Sequence, residues 1–554
     1  MSASSKKKLR KENAAAALTE KQHKEQAEAK KLKAITISFI AVMLVIALTA
    51  VSILSVRAVN NSGIIDRNTI AAVTGEHKLN SIQMNYYFTD YIRGLYSQWE
   101  TSYGENVATY MSLMGLNLNA PLNEQNSAMA TDKTWAEYFL DEALKKAKDD
   151  YALYDKAIAE GFKLSEDEQN AIDYNMQILE LSAMYSGAAS TDKYLQAIYG
   201  YGADVASYKE YAEISAIATA YYNQYSESLS YNDAAIREHE KDKYNNYSSF
   251  SYAVYHVNAS DYLEGGTTAE DGTVTYTDEQ KDAAVKAAEK IANDLAASAN
   301  LAELDKAIGL LEVNAKKDNV ASTKYDDVMY SSVTAALQQW LADNERKADD
   351  ITVIPNETTS KDAEGKETKT VNGYYVVYFT DRNDNLRPLA NVRHLLVKFE
   401  GGTTDSKGNK TYSDKEKATA KAEAERLLQV WKDGNATEDT FIALVKEHSD
   451  DSSAEEGGLF EDIHPKSNFV DSFRTWSLDS SRKPGDTGVI VSEYGYHVMY
   501  YSSDDELTYR DYMISEDLRA ADVEKWFNAI VEPATITQGK TNRLNLDLII
   551  ASIV

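Results

Sequence analysis

The chain contains no cysteine among its 554 residues and only six prolines. Without cysteine the protein forms no disulfide, uses no thiolate nucleophile and builds no cysteine-based zinc site. A lipid-accepting cysteine is absent for the same reason. The apolar runs of the chain are therefore the features to examine for membrane attachment.

Acidic residues far outnumber basic ones beyond the first 33 residues. Residues 1–33 hold ten Lys or Arg against four Glu, a balance of +6; removing this from the −29 of the whole chain leaves −35 on residues 34–554. Such an acidic body is not expected to bind nucleic acid. It could attract basic polypeptides, although a well-solvated surface is the simpler explanation.

One apolar run is long. Residues 34–56 form an uncharged stretch of 23 residues, enough to cross a bilayer at ~1.5 Å per residue. A signal peptide is the alternative, but a secretory apolar region usually has ~7–15 residues, and no clean small-residue cleavage site follows. The basic residues before the run favour a cytoplasmic N-terminus. We therefore expect a cytoplasmic tail over residues 1–33, a transmembrane helix over residues 34–56 and an extracytoplasmic body.

The next region has the pattern of packed helices. Tyr, Ala, Leu and Met recur at helical spacing, for example in residues 150–160 and 208–222. The run from Ile70 to Leu79 predicts instead a small strand and turn before a long helix. Residues 57–245 are therefore predicted to form an α-helical domain.

Two later segments repeat at an offset of 136 residues. Glu-Gly-Gly-Thr-Thr occurs at residues 264–268 and again at 400–404, and Trp340 matches Trp476. A polar insertion at residues 357–370 interrupts the first segment, after which the match resumes at a shorter offset. We therefore predict two copies of one domain, over residues 246–385 and 386–505.

The copies differ in their polar residues. The second copy has His394, His497 and the acidic run His-Ser-Asp-Asp-Ser-Ser at residues 448–453. Tyr375 replaces His497 in the first copy, and Val254 supplies no counterpart to His394. Two histidines with an acidic residue between them imply a buried polar cluster that binds a substrate. Core histidines are the alternative, but the loss of all three features from one copy argues against it.

The second copy resembles the parvulin-type peptidyl-prolyl isomerases. Besides residues 448–453, the resemblance rests on Asn391-Val-Arg-His-Leu-Leu-Val397, Gly457-Gly-Leu-Phe460 and Gly495-Tyr-His-Val-Met499, in that order along the chain. The whole chain resembles the extracytoplasmic foldases of the PrsA and SurA kind. It departs from them in having an apolar anchor where they have a lipid-linked cysteine, and in its inserted degenerate copy.

The resemblance implies an α+β multidomain fold. An α-helical chaperone-like domain would be completed by C-terminal helices over residues 506–554, which pack on it. Between these segments lie two parvulin-like βα3βαβ2 domains, of which the first is degenerate.

The resemblance also implies the roles of individual residues. Three would be catalytic: His394, Asp451 and His497. Five would bind substrate, three of them as walls of a proline pocket and the last two at its mouth: Leu459, Phe469, Phe473, Ser492 and Tyr494. Asp451 would orient or charge an imidazole or polarise the amide, and the sequence leaves these alternatives open. No metal or cofactor is expected, because rotation about an X–Pro bond breaks no covalent bond.

The expected function is that of a single-pass membrane-anchored extracytoplasmic isomerase and foldase, in the arrangement of a Gram-positive-type bacterium. Its partners would be unfolded or partly folded exported polypeptides with X–Pro bonds. A non-catalytic holdase or scaffold is the alternative. A secreted hydrolase is less favoured, since Ser449 beside His448 lacks a recognisable nucleophile motif. Whether the protein forms a homodimer stays open.

Overall fold

The computed structural model describes Ser4 and residues 63–361, 365–405, 408 and 410–553. The transmembrane helix predicted over residues 34–56, and the tail before it apart from Ser4, lie outside the described residues. Among the residues that are described, no helix combines the length and apolarity of a membrane span. Two units are distinguished, one comprising the chain up to Ser230 together with Arg519–Val554 and the other comprising Tyr231–Leu518.

The first unit is mainly helical. Two strands, β1 (Ile70–Thr74) and β2 (His77–Asn80), precede the first long helix, where the sequence predicted a single small strand and a turn. The helices before Ser230 are α1 (Ile64–Asn68), α2 (Ser81–Tyr103), α3 (Val107–Leu113), α4 (Trp135–Ala159), α5 (Glu166–Tyr185), α6 (Thr191–Tyr199) and α7 (Val205–Ser228).

Side-chain caps define the starts of the long helices. The Asn80 side chain accepts the backbone N–H groups of Ile82 and Gln83, and the Gln83 side chain accepts the N–H of Asn80. Each accepted bond satisfies a donor that the first helical turn leaves without a partner. Similar capping boxes begin α4 at Thr134 and α5 at Ser165.

The second unit begins with α8 (Asp233–Glu240) and continues through two similar series of elements. The first series is β3 (Ser249–Asn258), β4 (Thr267–Thr268), β5 (Val274–Thr275), α9 (Asp278–Ala296), α10 (Leu301–Gly309), β6 (Thr323–Met329), α11 (Ala335–Leu341), β7 (Ile351–Lys361) and β8 (Glu367–Asn383). The second is β9 (Pro388–Lys398), β10 (Thr403–Thr404), β11 (Lys410–Thr411), α12 (Asp414–Lys432), α13 (Glu438–His448), β12 (Leu459–Ile463), α14 (Asp471–Ser477), β13 (Thr487–Val491) and β14 (Gly495–Thr508).

The two series form antiparallel sheets with the same strand order. The first sheet has the order β6-β3-β8-β7, and the second has the order β12-β9-β14-β13. In each series a short 3-10 turn, Glu312–Asn314 or Ser452–Glu456, takes the place of a third helix before the edge strand. The polar insertion of the first copy lengthens β7 and β8 into a hairpin that pairs from Glu357 with Val371 to Lys361 with Glu367.

The second sheet has an apolar cluster on each face. Leu395 and Val498 pack with side chains of α12 and α13 on one face. Val392 and Met499 pack with side chains of α14 on the other face. Because side chains alternate along a strand, residues two positions apart point to the same face. His394 and His497 are in phase with Val392 and Met499 and so face α14.

The C-terminal segment corrects one prediction. Residues 506–554 were expected to be helical, but α15 (Tyr509–Val531) is followed by a strand, β15 (Ile536–Gln538), that pairs with β1. Pro533 disfavours a helical conformation at the residue before it, which accounts for the end of the helix. The apolar end of the chain is buried in the first unit, through Leu544, Ile550 and Ile553.

The division into units also differs from the predicted boundaries at residues 245 and 506. Residues 231–245 and 506–518 belong to the second unit. They are held there by an apolar cluster of Ile236, Tyr247 and Ile514 and by a buried ion pair between Glu240 and Arg510.

Candidate active site

Two buried histidines lie side by side on adjacent strands. His394 is on β9 and His497 is on β14, where Met499 pairs with His394 and Leu396 pairs with His497. The two side chains therefore share one face, and their Nδ1 atoms are 3.0 Å apart. The ring planes are inclined by 23°. Each ring thus satisfies one nitrogen of the other in a region that water hardly reaches.

The histidine pair is the centre of a chain of polar contacts. The N–H of Tyr494 donates to Oγ of Ser492 at 3.1 Å, and Oγ of Ser492 lies 2.8 Å from Nε2 of His497. At the other end, Nε2 of His394 lies 3.4 Å from Oδ1 of Asp451. Each of these three contacts holds one proton if Ser492 donates to His497, His497 donates to His394, and His394 donates to Asp451. This arrangement fixes the tautomer of both rings.

The segment before β12 holds Asp451 in place. Its Oδ1 atom accepts the backbone N–H of Ser453 at 2.9 Å and the Ser453 hydroxyl at 2.7 Å. Two residues earlier, Oγ of Ser449 accepts the N–H of Leu396 on β9, which ties the segment to the sheet. Burial alone would raise the pKa of Asp451, but the contacts with His394 and Ser453 outweigh it and hold the pKa well below its usual range. Asp451 is therefore a carboxylate at neutral pH.

Two phenylalanine rings lie against the histidines, and a third packs on these two. The His394 ring is 5.2 Å from the Phe460 ring and 5.3 Å from the Phe473 ring, measured between centroids. Phe469 stacks on Phe473 at 4.8 Å and meets Phe460 edge-on at 5.1 Å. Phe473 is buried, whereas Phe460 and Phe469 are half-buried. The result is an apolar aromatic surface that adjoins a polar network.

This region also matches a known family. The model of the PPIC-type PPIase domain, or rotamase, matches residues 394–503. Residues 394–503 form a parvulin-type peptidyl-prolyl isomerase domain. The matched range begins at His394 and includes Asp451, the three phenylalanines and His497.

Solved structures and curated proteins give further comparisons. The chain is similar to the PPIase domain of TbPar42, with 21% identity over 21% of this chain and 99% of that one, at a TM-score of 0.17. It is similar to PrsA from Bacillus cereus, with 24% identity over 27% of this chain and 50% of that one, at a TM-score of 0.17. It is also similar to PrsA from Bacillus subtilis, with 22% identity over 26% of this chain and 46% of that one, at a TM-score of 0.15. The match thus spans about half the length of these PrsA chains. No curated protein matches the chain.

The geometry of the isomerase domain suits rotation about an amide. Amide resonance sets a barrier of ~18–20 kcal/mol for X–Pro rotation, which takes tens to hundreds of seconds without catalysis. Twisting the amide localises charge on its carbonyl oxygen and nitrogen. An apolar surface that holds the proline ring beside fixed polar groups can favour this twisted state. Each ~1.4 kcal/mol of selective stabilisation gives a tenfold faster reaction.

The structure brings most of the predicted site residues together. His394, Asp451 and His497 form one network; Phe473 lies against it, and Phe469 packs on Phe473. Ser492 contacts His497 directly, whereas Tyr494 contributes its backbone N–H and is a 58% exposed residue. Among the described residues, no group of three or more His, Cys, Asp or Glu side chains is placed to hold a metal ion.

Leu459 is the predicted residue that lies elsewhere. It pairs with Arg393, so both side chains are on the face of the sheet that carries α13, away from the histidines. Phe460, which pairs with Val392, occupies the position that the sequence analysis gave to Leu459. The aromatic side chain of Phe460, two residues after Gly458, is the feature of the sequence that could have indicated its place in the site.

The first copy has a different set of side chains at the equivalent positions. Strand pairing aligns Val254 with His394 and Tyr375 with His497. The one histidine on β3, His256, aligns with Leu396 and contacts Nδ2 of Asn356 at 2.9 Å. The first copy therefore lacks the paired imidazoles at these positions.

Burial gives His497 an unusual acidity. Burial disfavours the charged ring, the neighbouring His394 adds to this effect, and Asp451 only partly opposes it, so that the pKa of His497 falls to about 4. His497 is therefore neutral at pH 7, which agrees with its place as a donor to His394 through Nδ1.

We expect an NMR titration of the ring to give a midpoint for His497 near 4. Because an unfolded histidine titrates near 6.5, unfolding takes up a proton between pH 6.5 and 4, and the free energy of unfolding falls by up to about 3 kcal/mol as the pH is lowered through this window. His497→Gln should remove that part of the pH dependence. A midpoint near 6.5 in the folded protein would contradict the assignment.

Proposed function

We propose that the protein is a membrane-anchored extracytoplasmic foldase whose isomerase domain acts on X–Pro bonds of exported polypeptides. The observation that carries the proposal is the contact of His394 with His497 and Asp451 beside three phenylalanine rings. The anchor rests on the apolar residues 34–56 and the basic residues before them. Its test is membrane fractionation of the full chain beside a chain that begins at residue 58. If the two chains appeared to an equal extent in the soluble fraction, that result would contradict anchoring.

Composition supports a site of action outside the cytoplasm. A chain without cysteine cannot form unwanted disulfides in an oxidising compartment or with its clients. The charge of −35 on residues 34–554 keeps such a chain soluble while it contacts apolar segments. Both features suit a protein that works on unfolded polypeptides.

A second candidate function is holding of unfolded clients without catalysis. Helix α5 exposes three large apolar side chains at helical spacing, Leu181, Met184 and Tyr185, the last with 72% of its surface exposed. The same helix carries five acidic residues and no Lys or Arg. An exposed apolar strip beside acidic groups suits client segments that combine apolar and basic side chains.

One experiment separates the two functions. We expect Met184→Ser with Tyr185→Ser to raise the concentration needed to suppress aggregation of an unfolded protein by about tenfold, because two apolar contacts are lost. The acceleration of a proline-limited refolding phase should not change. His394→Ala should reduce the acceleration of the refolding phase and leave the suppression of aggregation unchanged. The matched control is Asn175→Ser with Gln177→Ser, two exposed polar positions of the same helix. Loss of both activities in the α5 variant would contradict separate sites.

A further inference from the structure

The loop between β12 and α14, residues 464–470, carries one of the three aromatic rings of the isomerase site. That ring belongs to Phe469, which is half-buried and stacks on the buried Phe473 with 4.8 Å between centroids. Phe473 in turn meets the rings of His394 and His497 edge-on, at 5.3 and 5.9 Å. Part of the Phe469 ring is therefore open to a substrate, and its position depends on the loop.

The side chain of Arg474 on α14 reaches back to this loop. Its Nη1 atom donates to the carbonyl of Ser467 at 3.1 Å and to the carbonyl of Phe469 at 2.8 Å. Its Nη2 atom donates to the exposed carboxylate of Asp471. Hydrogen bonds from a charged, planar guanidinium are stronger and more directional than bonds from a neutral donor. Arg474 therefore fixes the backbone of Phe469 itself.

Other contacts keep the loop and the helix in shape separately. Within the loop, the N–H of Ser467 donates to the carbonyl of His464 at 3.0 Å. On α14, the hydroxyl of Ser472 donates to the carbonyl of Val491 on β13 at 2.7 Å, which ties the helix to the sheet. Loss of the Arg474 side chain would therefore loosen the loop from the helix without releasing the helix from the sheet.

The first copy has the same link, made by a different residue. Gln338 on α11 lies 136 positions before Arg474, and its Nε2 atom donates to the carbonyls of Tyr330 and Val333 at 3.0 and 3.1 Å. Val333 is the counterpart of Phe469, but it is buried. The link thus recurs in both copies, whereas in the second copy it places a partly exposed aromatic ring beside paired histidines.

We propose that Arg474 is a positioning residue of the isomerase reaction, which holds the Phe469 ring where it can cover the proline of a substrate. This role rests on the isomerase function of the domain and adds a residue to it. An apolar ring contacts the proline in the ground state and in the twisted state alike. Displacing the ring therefore weakens substrate binding more than it slows rotation.

The test is the effect of Arg474→Met on KM and kcat, because methionine keeps an apolar side chain and removes the donors. On the full protein, with an X–Pro peptide, we expect KM to rise about tenfold and kcat to change by less than about twofold. A purely structural role would lower the folded fraction, which reduces the apparent kcat and leaves KM unchanged. Unchanged KM in a folded variant of an active protein would overturn the proposal alone. No isomerisation by the unaltered protein would overturn the isomerase function together with it.

Further variants test whether Arg474 acts through Phe469. Arg474→Gln supplies the donor that the first copy uses and should keep KM within about threefold of the unaltered value. Phe469→Ala should raise KM, and adding Arg474→Met to it should have little further effect. Independent effects of these two substitutions would contradict the proposal. Should Arg474→Met fail to fold, Arg474→Gln decides, and a rise in KM above about threefold would then contradict it.

The matched control is Arg426→Met on α12. Like Arg474, this arginine pairs with an acidic residue three positions earlier, Glu423, but it lies outside the loop and the aromatic surface. Its loss should leave KM unchanged. Asp471→Asn removes the ion pair of Arg474 while the carbonyls of the loop stay in place, so KM should again be unchanged. A rise in KM equal to that of Arg474→Met in either control would assign the effect to charge instead of to the loop.

Discussion

Replacing His394 by alanine is expected to lower the kcat/KM of the isomerase for an X–Pro peptide by about 100-fold, the lower end of what a positioned imidazole commonly contributes. His394 is the only member of the network that contacts both His497 and Asp451. Its loss leaves the Nδ1 proton of His497 without an acceptor and the half-buried carboxylate of Asp451 without its imidazole. A protease-coupled assay across a panel of residues before proline measures the effect. Asp451→Ala should act in the same direction.

The first copy offers a matched control for this substitution. His256 lies on β3, the counterpart of β9, but it is two positions away from the equivalent of His394 and contacts Asn356 instead of a second imidazole. His256→Ala should therefore leave kcat/KM unchanged. Full activity of His394→Ala, or an equal loss of kcat/KM in the two variants, would contradict the assignment of His394 as a catalytic residue. Suppressed aggregation with no isomerisation by the unaltered protein would favour the holdase.

The network also bears on the open role of Asp451. Its carboxylate lies on the far side of His394 from His497, and it is bound to the backbone and hydroxyl of Ser453. A carboxylate held in this way fixes which nitrogen of His394 carries the proton. The geometry favours orientation of the imidazole over direct contact with the amide of the substrate.

Local and periodic signals in the sequence predicted much of the architecture. Thr277 and Ser413 cap α9 and α12 at equivalent positions of the two copies, where the sequence has Thr or Ser before a charged amphipathic run. Trp340 and Trp476 recur because each packs under its sheet with an arginine over the ring, Arg346 at 4.0 Å and Arg482 at 4.4 Å. Such features depend on neighbours in sequence, so one chain is enough to find them.

The phase of a strand after an irregular turn could not be predicted. Gly457 and Gly458 have φ angles of 72° and 68°, in the left-handed region that favours glycine. A side chain at Gly458 would collide with the carbonyl of His394. Two such residues reset the alternation of β12, so that Phe460 rather than Leu459 faces the histidines. The sequence shows the glycines but not the resulting phase.

Contacts between distant segments could not be predicted from the sequence either. Arg510 is at the start of α15 and has no exposed surface. It forms an ion pair with Glu240 and donates to the carbonyl of Tyr244. It also donates to the carbonyl of Asp384, at 3.1 Å, in the segment that connects the two copies. Nothing in the residues around Arg510 indicates partners more than 120 positions away.

This arginine should be among the most important single side chains for stability of the second unit. Its guanidinium also lies 3.7 Å from the centroid of the Tyr244 ring, so its removal affects packing as well as charge. Removing one partner of a buried ion pair leaves the other as an uncompensated buried charge. In Arg510→Met the carboxylate of Glu240 would retain only its contact with Arg237, which is partly exposed to solvent.

We expect Arg510→Met to lower the free energy of unfolding of the second unit by roughly 3–5 kcal/mol, the usual cost of breaking a buried pair. The matched control is Arg426→Met on α12, whose pair with Glu423 is exposed, so a change below about 1 kcal/mol is expected. Calorimetry should show a lower transition temperature for one unit only, because all the partners of Arg510 belong to Tyr231–Leu518. Equal shifts in the two variants would mean that the pair is no more important than one on the surface. Glu240→Gln with Arg510→Met should recover part of the loss, since the orphaned charge is the main source of the destabilisation.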